Sequence, residues 1–388
     1  LYFGFFQNFT FHLQNFDLKV AKIVLFNCLK IVTEIVHQVI LPHLSMALLL
    51  LNFPTGYHFG IDWMSWNVGE KFMGVSNVPE GIHYIYWSAK ELRGSDCSTR
   101  SGKFIHFDPN QIHVWTWNTE LETCLELEPK EALKYQDGAN RHEFDTNLGP
   151  YPIEHHKKWI SLTNHITNIT LNRLSPVQFT VAAAAAAPTT TETETKSKST
   201  QNNHQSTGRS FYTKLPGRRP TIIKNASDVT KYAFDRTQAL SEVLHAIQTT
   251  STISYQGDED QAMNELLGEL EYSFISFIVG QTADGLEQWK SLIDLLCRCE
   301  DAMDGKAAEG YPRIPKAHFI VLLEMLMAQL IEVPEDFFAG DLSSNNFLRP
   351  ALSSFFSLLP KKDGLKLSEL TQSRFGWDVE AEEEDELF

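Results

Sequence analysis

The sequence has no CxxC pair, and its five cysteines, Cys28, Cys97, Cys124, Cys297 and Cys299, are an odd set. That pattern writes neither a disulfide framework nor a zinc site, and it favours a reducing compartment. Positive charge is scarce: 33 Lys and Arg stand against 49 Asp and Glu, for a formal net charge of -16. Phosphate binding draws on clustered cations that release counterions, so this balance disfavours a nucleic-acid surface and points to protein partners. There is no P-loop, no glycine-rich dinucleotide fingerprint, no HExxH and no GxSxG. The compact catalytic and cofactor signatures are thereby excluded. Catalytic groups far apart in sequence can still converge in space, which keeps a hydrolase-like enzyme with dispersed residues as an alternative.

A clean apolar run is missing as well. Residues 20–51 are rich in Ile, Leu and Val, but Lys22, Lys30, Glu34, His37, Gln38, Pro42 and His43 interrupt them. A membrane-spanning helix needs about 20 consecutive apolar residues. A membrane-tethered adaptor using residues 20–51 is the second alternative. Methionine is absent before Met46, and neither a basic start nor a small-residue cleavage site is present. Residues 1–45 are therefore read as a non-native or mis-joined extension. The sequons at Asn8, Asn168 and Asn225 would matter only in a secreted chain.

With 43% hydrophobic and 21% charged residues, the chain is long enough for two domains with real cores. Residues 46–180 read as a β-rich domain with helices at its end. Period-two alternation from 47 to 128 is the mark of a sheet with one buried face. Ala47–Phe53 is the expected first strand, and Gly81–Trp87 places Ile82, Tyr84 and Tyr86 on one face. Gly102–Phe107, Gln111–Trp117 and Leu121–Leu127 follow as a meander. Glu128–Tyr135 and Lys157–Leu174 are helix-like, separated by the prolines of Leu148-Gly149-Pro150-Tyr151-Pro152. Trp159, Leu162, Ile166 and Ile169 recur at helical spacing as packing residues.

From Ala182 six alanines lead into a Thr/Glu/Lys/Ser stretch with too little apolar area to offset ordering entropy. Residues 181–212 are accordingly expected to be a disordered linker. Residues 213–376 carry apolar positions at three- and four-residue intervals and read as a bundle or superhelix of five or six helices. Asp228 is expected to cap a helix through Leu244. Glu265–Val279 is expected to end at Gly280, and Asp284 to cap the next helix. The stripes Leu286, Trp289, Ile293, Leu296 and Phe319, Leu322, Leu323, Leu326, Leu330 face a core, with Pro334 as a stop. Residues 377–388 form an acidic tail. The whole is α+β: an N-terminal β-sandwich-like domain with flanking helices, then an all-α domain.

Chemistry-bearing spots are few. His155 and His156 are metal-like, but neighbours on a helix point about 100 degrees apart and do not share an ion comfortably. Cys297 and Cys299 diverge likewise and read as core. Arg209, Lys214, Arg218, Arg219 and Lys224 form an acid-free basic stretch that is a solvated linker end or a handle for an acidic partner. In the tail, Trp377 and Asp378 are an exposed aromatic beside acids, while Glu380, Leu387 and Phe388 give an acidic strand an apolar end. These five are the candidate partner-binding residues.

At Gly60-Ile61-Asp62-Trp63-Met64-Ser65-Trp66-Asn67-Val68-Gly69 the sequence becomes distinctive. The run "FPTGYHFGIDWMSWNVGEKFMGVSNVPEGIHYIYW", then "LGPYPIEHHKKWISLTNHIT", then "LLGELEYSFISFIVGQTADGLEQWKSLIDLLCRCEDAM" with "VPEDFF", "NNFL" and "RFGWD" resembles the cistron-splicing factor family, also called Aar-two. The signature residues Gly60, Asp62, Trp66, Gly69, Pro79, Gly81, Pro150, Tyr151 and Trp159 are expected to shape turns and core. The resemblance implies a non-enzymatic assembly chaperone in U5 snRNP biogenesis, working in nucleus and cytoplasm without cofactor or metal. Its implied partner is the large U5 scaffold protein, held by its RNase H-like and MPN-type domains so that the spliceosomal helicase is kept off. Other U5 proteins are implied partners only indirectly, and neither nucleic acid nor membrane is.

Overall fold

The computed structural model describes residues 46–89, 100–175, 181–182, 210–218, 226–250, 259–338 and 346–379. Its strands are β1 (Ala47–Leu51), β2 (His58–Ile61), β3 (Met64–Asn67), β4 (Gly74–Ser76), β5 (Gly81–Ser88), β6 (Arg100–Phe107), β7 (Ile112–Asn118), β8 (Thr123–Glu126), β9 (Leu148–Pro150) and β10 (Val181–Ala182). The helices are α1 (Pro129–Asn140), α2 (His156–Ile160), α3 (Asn168–Leu174), α4 (Ala226–Phe234), α5 (Thr237–Thr250), α6 (Glu259–Ile278), α7 (Ala283–Leu296), α8 (Glu300–Asp304), α9 (Ala317–Glu332), α10 (Leu348–Leu358) and α11 (Lys361–Phe375).

The strands form two five-stranded sheets, in orders β8-β7-β1-β4-β9 and β10-β6-β5-β2-β3. Between them lies a core of Leu48, Leu50, Phe59, Ile61, Ile85, Trp87, Phe107, Trp115 and Trp117. The outer face of the first sheet, with Leu49, Ile112 and Val114, is covered by Ala132 and Ala139 of α1. The outer face of the second sheet, with Ile82, Tyr84, Tyr86 and Phe104, joins one continuous core with the C-terminal helices. The layers thus run helix, sheet, sheet, helical domain.

The central strand has no free face: β1 is buried at all five positions because both sides are covered, and a doubly covered strand is a continuous apolar run. The strands are also not a meander. β6 and β7 lie in different sheets, and β7 pairs in parallel with β1, Leu49 opposite Val114. A short turn at Asp108, with Asn110 at φ 64, carries the chain across the sandwich.

Several helices break where a long one was expected. Lys157–Leu174 splits into α2 and α3, because Thr167 caps α3 in a reciprocal box with Thr170 and the amides of His165 and Ile166 donate to Glu271. The helix placed through Leu244 breaks after Phe234. There Asp235 accepts from the amide and hydroxyl of Thr237, and buried Arg236 donates to the carbonyls of Pro216 and Gly217. Gly280 does not take the left-handed conformation; Gln281 does, at φ 57. Thr282, not Asp284, is the N-cap of α7, accepting from Gly285. With α8 closed by Gly305 at φ 83, the C-terminal part has eight helices among the described residues, more than the five or six expected.

The edges of the expected linker are ordered. Val181 and Ala182 pair with Gly102 and Ser101 of β6, and the amide of Phe211 donates to Leu174. Ser210 meets the hydroxyl of Tyr272 at 3.1 Å. Residues 183–209, Cys28 and Cys97, and the sequons at Asn8 and Asn225 lie outside the described residues. So does most of the proposed membrane segment, whose described end is the buried strand β1. No helix among the described residues is long and apolar enough to cross a membrane.

Candidate functional site

The turn between β2 and β3 holds Asp62 at φ 54, a left-handed conformation that Asp adopts more readily than most residues. Its carboxylate folds inward. Oδ1 accepts from the amide of Tyr84 at 2.9 Å, and Oδ2 accepts from the hydroxyl of Tyr151 at 2.7 Å. Oδ2 also lies 2.7 Å from His83 Nδ1, while His83 Nε2 lies 2.9 Å from the carbonyl of Pro79. A carbonyl only accepts, so Nε2 carries a proton. The rings of His156 and Trp159 lie nearly parallel to His83, 6.1 and 6.5 Å away. Trp159 Nε1 donates to the carbonyl of Ile82 at 2.6 Å.

An Asp, two His and a Tyr look like acid–base machinery, but the geometry argues otherwise. His83 is fully buried and both its nitrogens are committed, so it has no lone pair to offer a substrate. Burial and the Asp62 carboxylate push the Tyr151 hydroxyl up, away from a phenolate. Burial, with His83 nearby, holds His156 below the usual imidazole range. The cluster ties the β2–β3 turn, β5 and the turn before α2 into one body. Among the described residues no group of three or more His, Cys, Asp or Glu is placed to hold a metal.

A second constellation sits between the domains. Three glutamates of α6 grip the N-terminal domain and the irregular segment entering the helical one. Glu265 accepts from the hydroxyls of Thr167 and Thr170. Glu269 accepts from Arg173 at 2.6 Å, from the amide and hydroxyl of Thr213 and from Gln288. Glu271 takes the amides of His165 and Ile166, and burial pushes its carboxyl up to about 8. Phe104 stacks on Tyr272 at 4.3 Å beside them, and Arg100 donates to the carbonyl of Val279.

Both halves match models of one family in order: the AAR2 N-terminal domain over residues 45–176 and the AAR2 C-terminal repeat region over residues 212–380. A protein named "Protein AAR2 homolog" from Mus musculus is 33% identical over 372 residues, covering 87% of this chain and 91% of that protein. The chain belongs to the AAR2 family. The Homo sapiens homologue is 32% identical over 378 residues, with the same coverage. That of Caenorhabditis elegans is 28% identical over 361 residues, covering 85% of this chain and 94% of that protein.

Asp62, Pro79, Tyr151 and Trp159 build the buried cluster just described. Gly60 lies under Tyr86, where a Cβ would come within 2.1 Å of the ring. Trp66 packs edge-on against Phe59 and Phe72. Gly81 takes φ 123, Pro150 is paired with Ser76 in β9, and Gly69 is exposed. His83 and the three α6 glutamates were not singled out from sequence; a His at β5's start and glutamates on an otherwise apolar helix face are weak signals.

The tail residues divide. Trp377 is not the exposed aromatic expected: it stacks on Phe375 at 4.5 Å and meets Phe338 at 5.1 Å. Asp378 is exposed, and Val379 after it is buried. Glu380, Leu387 and Phe388 lie outside the described residues. His155 and His156 do not converge on a shared site. Cys297 and Cys299 are fully buried, and burial pushes both thiols up. A cleft of about 460 Å³ opens beside Trp159, between the start of β5 and the α2–α3 connection.

Proposed function

We propose that the protein is a non-enzymatic assembly chaperone in U5 snRNP biogenesis for pre-mRNA splicing. It binds the large U5 scaffold protein through that partner's RNase H-like and MPN-type domains and delays the helicase by occupying its place. The reading rests on one observation: both AAR2 domains are present in order, over nearly the whole length of the relatives. The engaged state of His83 and Tyr151 supports a binding role over the hydrolase alternative. The acidic balance, -16 overall, supports a protein partner rather than nucleic acid or membrane.

Trp377 anchors the base of the tail on the helical domain, and Asp378, Glu380, Leu387 and Phe388 are the proposed contacts with the scaffold. It works in cytoplasm and nucleus. Release follows from added negative charge, such as phosphate on a Ser or Thr near the linker or tail. The deciding experiment mixes the purified chain with the scaffold's two domains and then adds the helicase. Exclusion of helicase at saturating chain is the expected result. A stable complex of all three, with neither displaced, overturns the proposal.

A further inference from the structure

The cleft beside Trp159 is not used by the buried cluster. Its floor is apolar, formed by Ile82 and Trp159, and Ile160 stands at its mouth with 48% of its surface exposed. Asn164 and Asn168 line it from the α2–α3 connection and the first turn of α3, and Glu80 closes the opposite rim. All three polar side chains are on exposed residues, and none makes a hydrogen bond or ion pair among the described residues. No Lys or Arg lines the cleft. His156, which also borders it, is held below the usual imidazole range by burial and brings no positive charge.

We propose that this cleft is a docking site for an extended peptide segment of a partner protein, carrying an aliphatic side chain next to a Lys or Arg. Each part of the motif answers a part of the site. Two carboxamides without partners match the donor and acceptor of a peptide group, because each Asn offers both. The apolar floor takes one aliphatic side chain and removes it from water. Glu80, with no Lys or Arg in the lining, selects a basic neighbour and repels an acidic one. A chain of net charge -16 adds a field of the same sign. The volume suits a dipeptide-sized anchor rather than a whole helix.

The test uses fluorescein-labelled capped hexapeptides of Gly and Ser with central Leu-Lys, Leu-Glu or Ser-Lys, titrated against the full chain by anisotropy. Leu-Lys is expected to bind saturably and about tenfold more tightly than either control, the worth of one matched charge or one buried side chain. E80K should reverse the order of Leu-Lys and Leu-Glu. N164A with N168A should weaken both Leu peptides about tenfold, since each loses hydrogen bonds to its backbone. The substituted residues are exposed, so unchanged urea midpoints certify that the variants fold. Equal affinity for the three peptides, no saturation at millimolar protein, or indifference to E80K overturns the site. So does concentration-dependent dimerisation abolished by E80K, which would make a second copy the occupant.

Discussion

The hydroxyl of Tyr151 donates to Asp62 at 2.7 Å, joining a turn of the second sheet to the proline-flanked turn before α2. Removing that hydroxyl leaves a buried carboxylate oxygen with one partner fewer. Tyr151→Phe is expected to cost about 1–3 kcal/mol, the range for a lost hydrogen bond to a charged, buried group. The drop in ΔG of urea unfolding, at unchanged m-value, measures it. A change below experimental error would mean that His83 and the Tyr84 amide satisfy Asp62 alone.

Glu271 makes stability pH-dependent. Burial raises its carboxyl from 4.5 to about 8, so between those values the unfolded chain holds fewer protons at this site than the folded one. Its contribution is complete below pH 4.5 and is lost as pH rises toward 8, by up to about 1.4 kcal/mol per pH unit. Glu271→Gln keeps an acceptor for the amides of His165 and Ile166 but cannot ionise. The variant should therefore show a flatter fall in unfolding free energy between pH 5 and 8 than the parent, and matching slopes would remove Glu271 from the balance.

Glu269→Ala takes the carboxylate from Arg173 and at once unties Thr213 and Gln288. Breaking one side of a buried pair is costly because the other charge stays behind, and about 3 kcal/mol is expected. Proteolysis should begin near residues 210–213, where the backbone loses its hold on α6. Cleavage first elsewhere would show that Arg173 and Tyr272 hold that segment unaided.

Gly60→Ala places a methyl against the ring of Tyr86. The ring or the strand must move, which costs about 1–3 kcal/mol by overpacking. Because the penalty comes from one neighbour, Tyr86→Leu should absorb part of it. A double-mutant cycle then gives a coupling of the opposite sign to the single penalties, whereas simple additivity would place the clash elsewhere.

Much of the pleated half was legible from its pattern. Ile82, Tyr84 and Tyr86 share the face that period-two spacing assigns them, and Trp159 packs as helical spacing suggests. What covers that face was not legible, because its partner is α6, reached only after the alanine-rich stretch. The same limit hid the cluster around Asp62: pairing of β2 with β5 brings Asp62 to His83, and only the packing of the two sheets brings Tyr151, which follows β9, onto them. Helix breaks at Asp235 and after Ile160 depend on distant acceptors and donors, the carbonyls of Pro216 and Gly217 and the carboxylate of Glu271. Trp377 reads as exposed in a run of acids, and Phe338 hides it.

Under the proposed function, the stacking of Phe104 on Tyr272 has a further consequence for how a large client would be gripped. A hinge between the halves would charge an entropic toll on every second handhold. With aromatic rings wedged across the seam, the distance between any grip on the pleated half and any grip on the coiled half is preset, as in a caliper with its screw tightened. A client that fits one jaw finds the other already in position, and a client of the wrong span gains nothing from it.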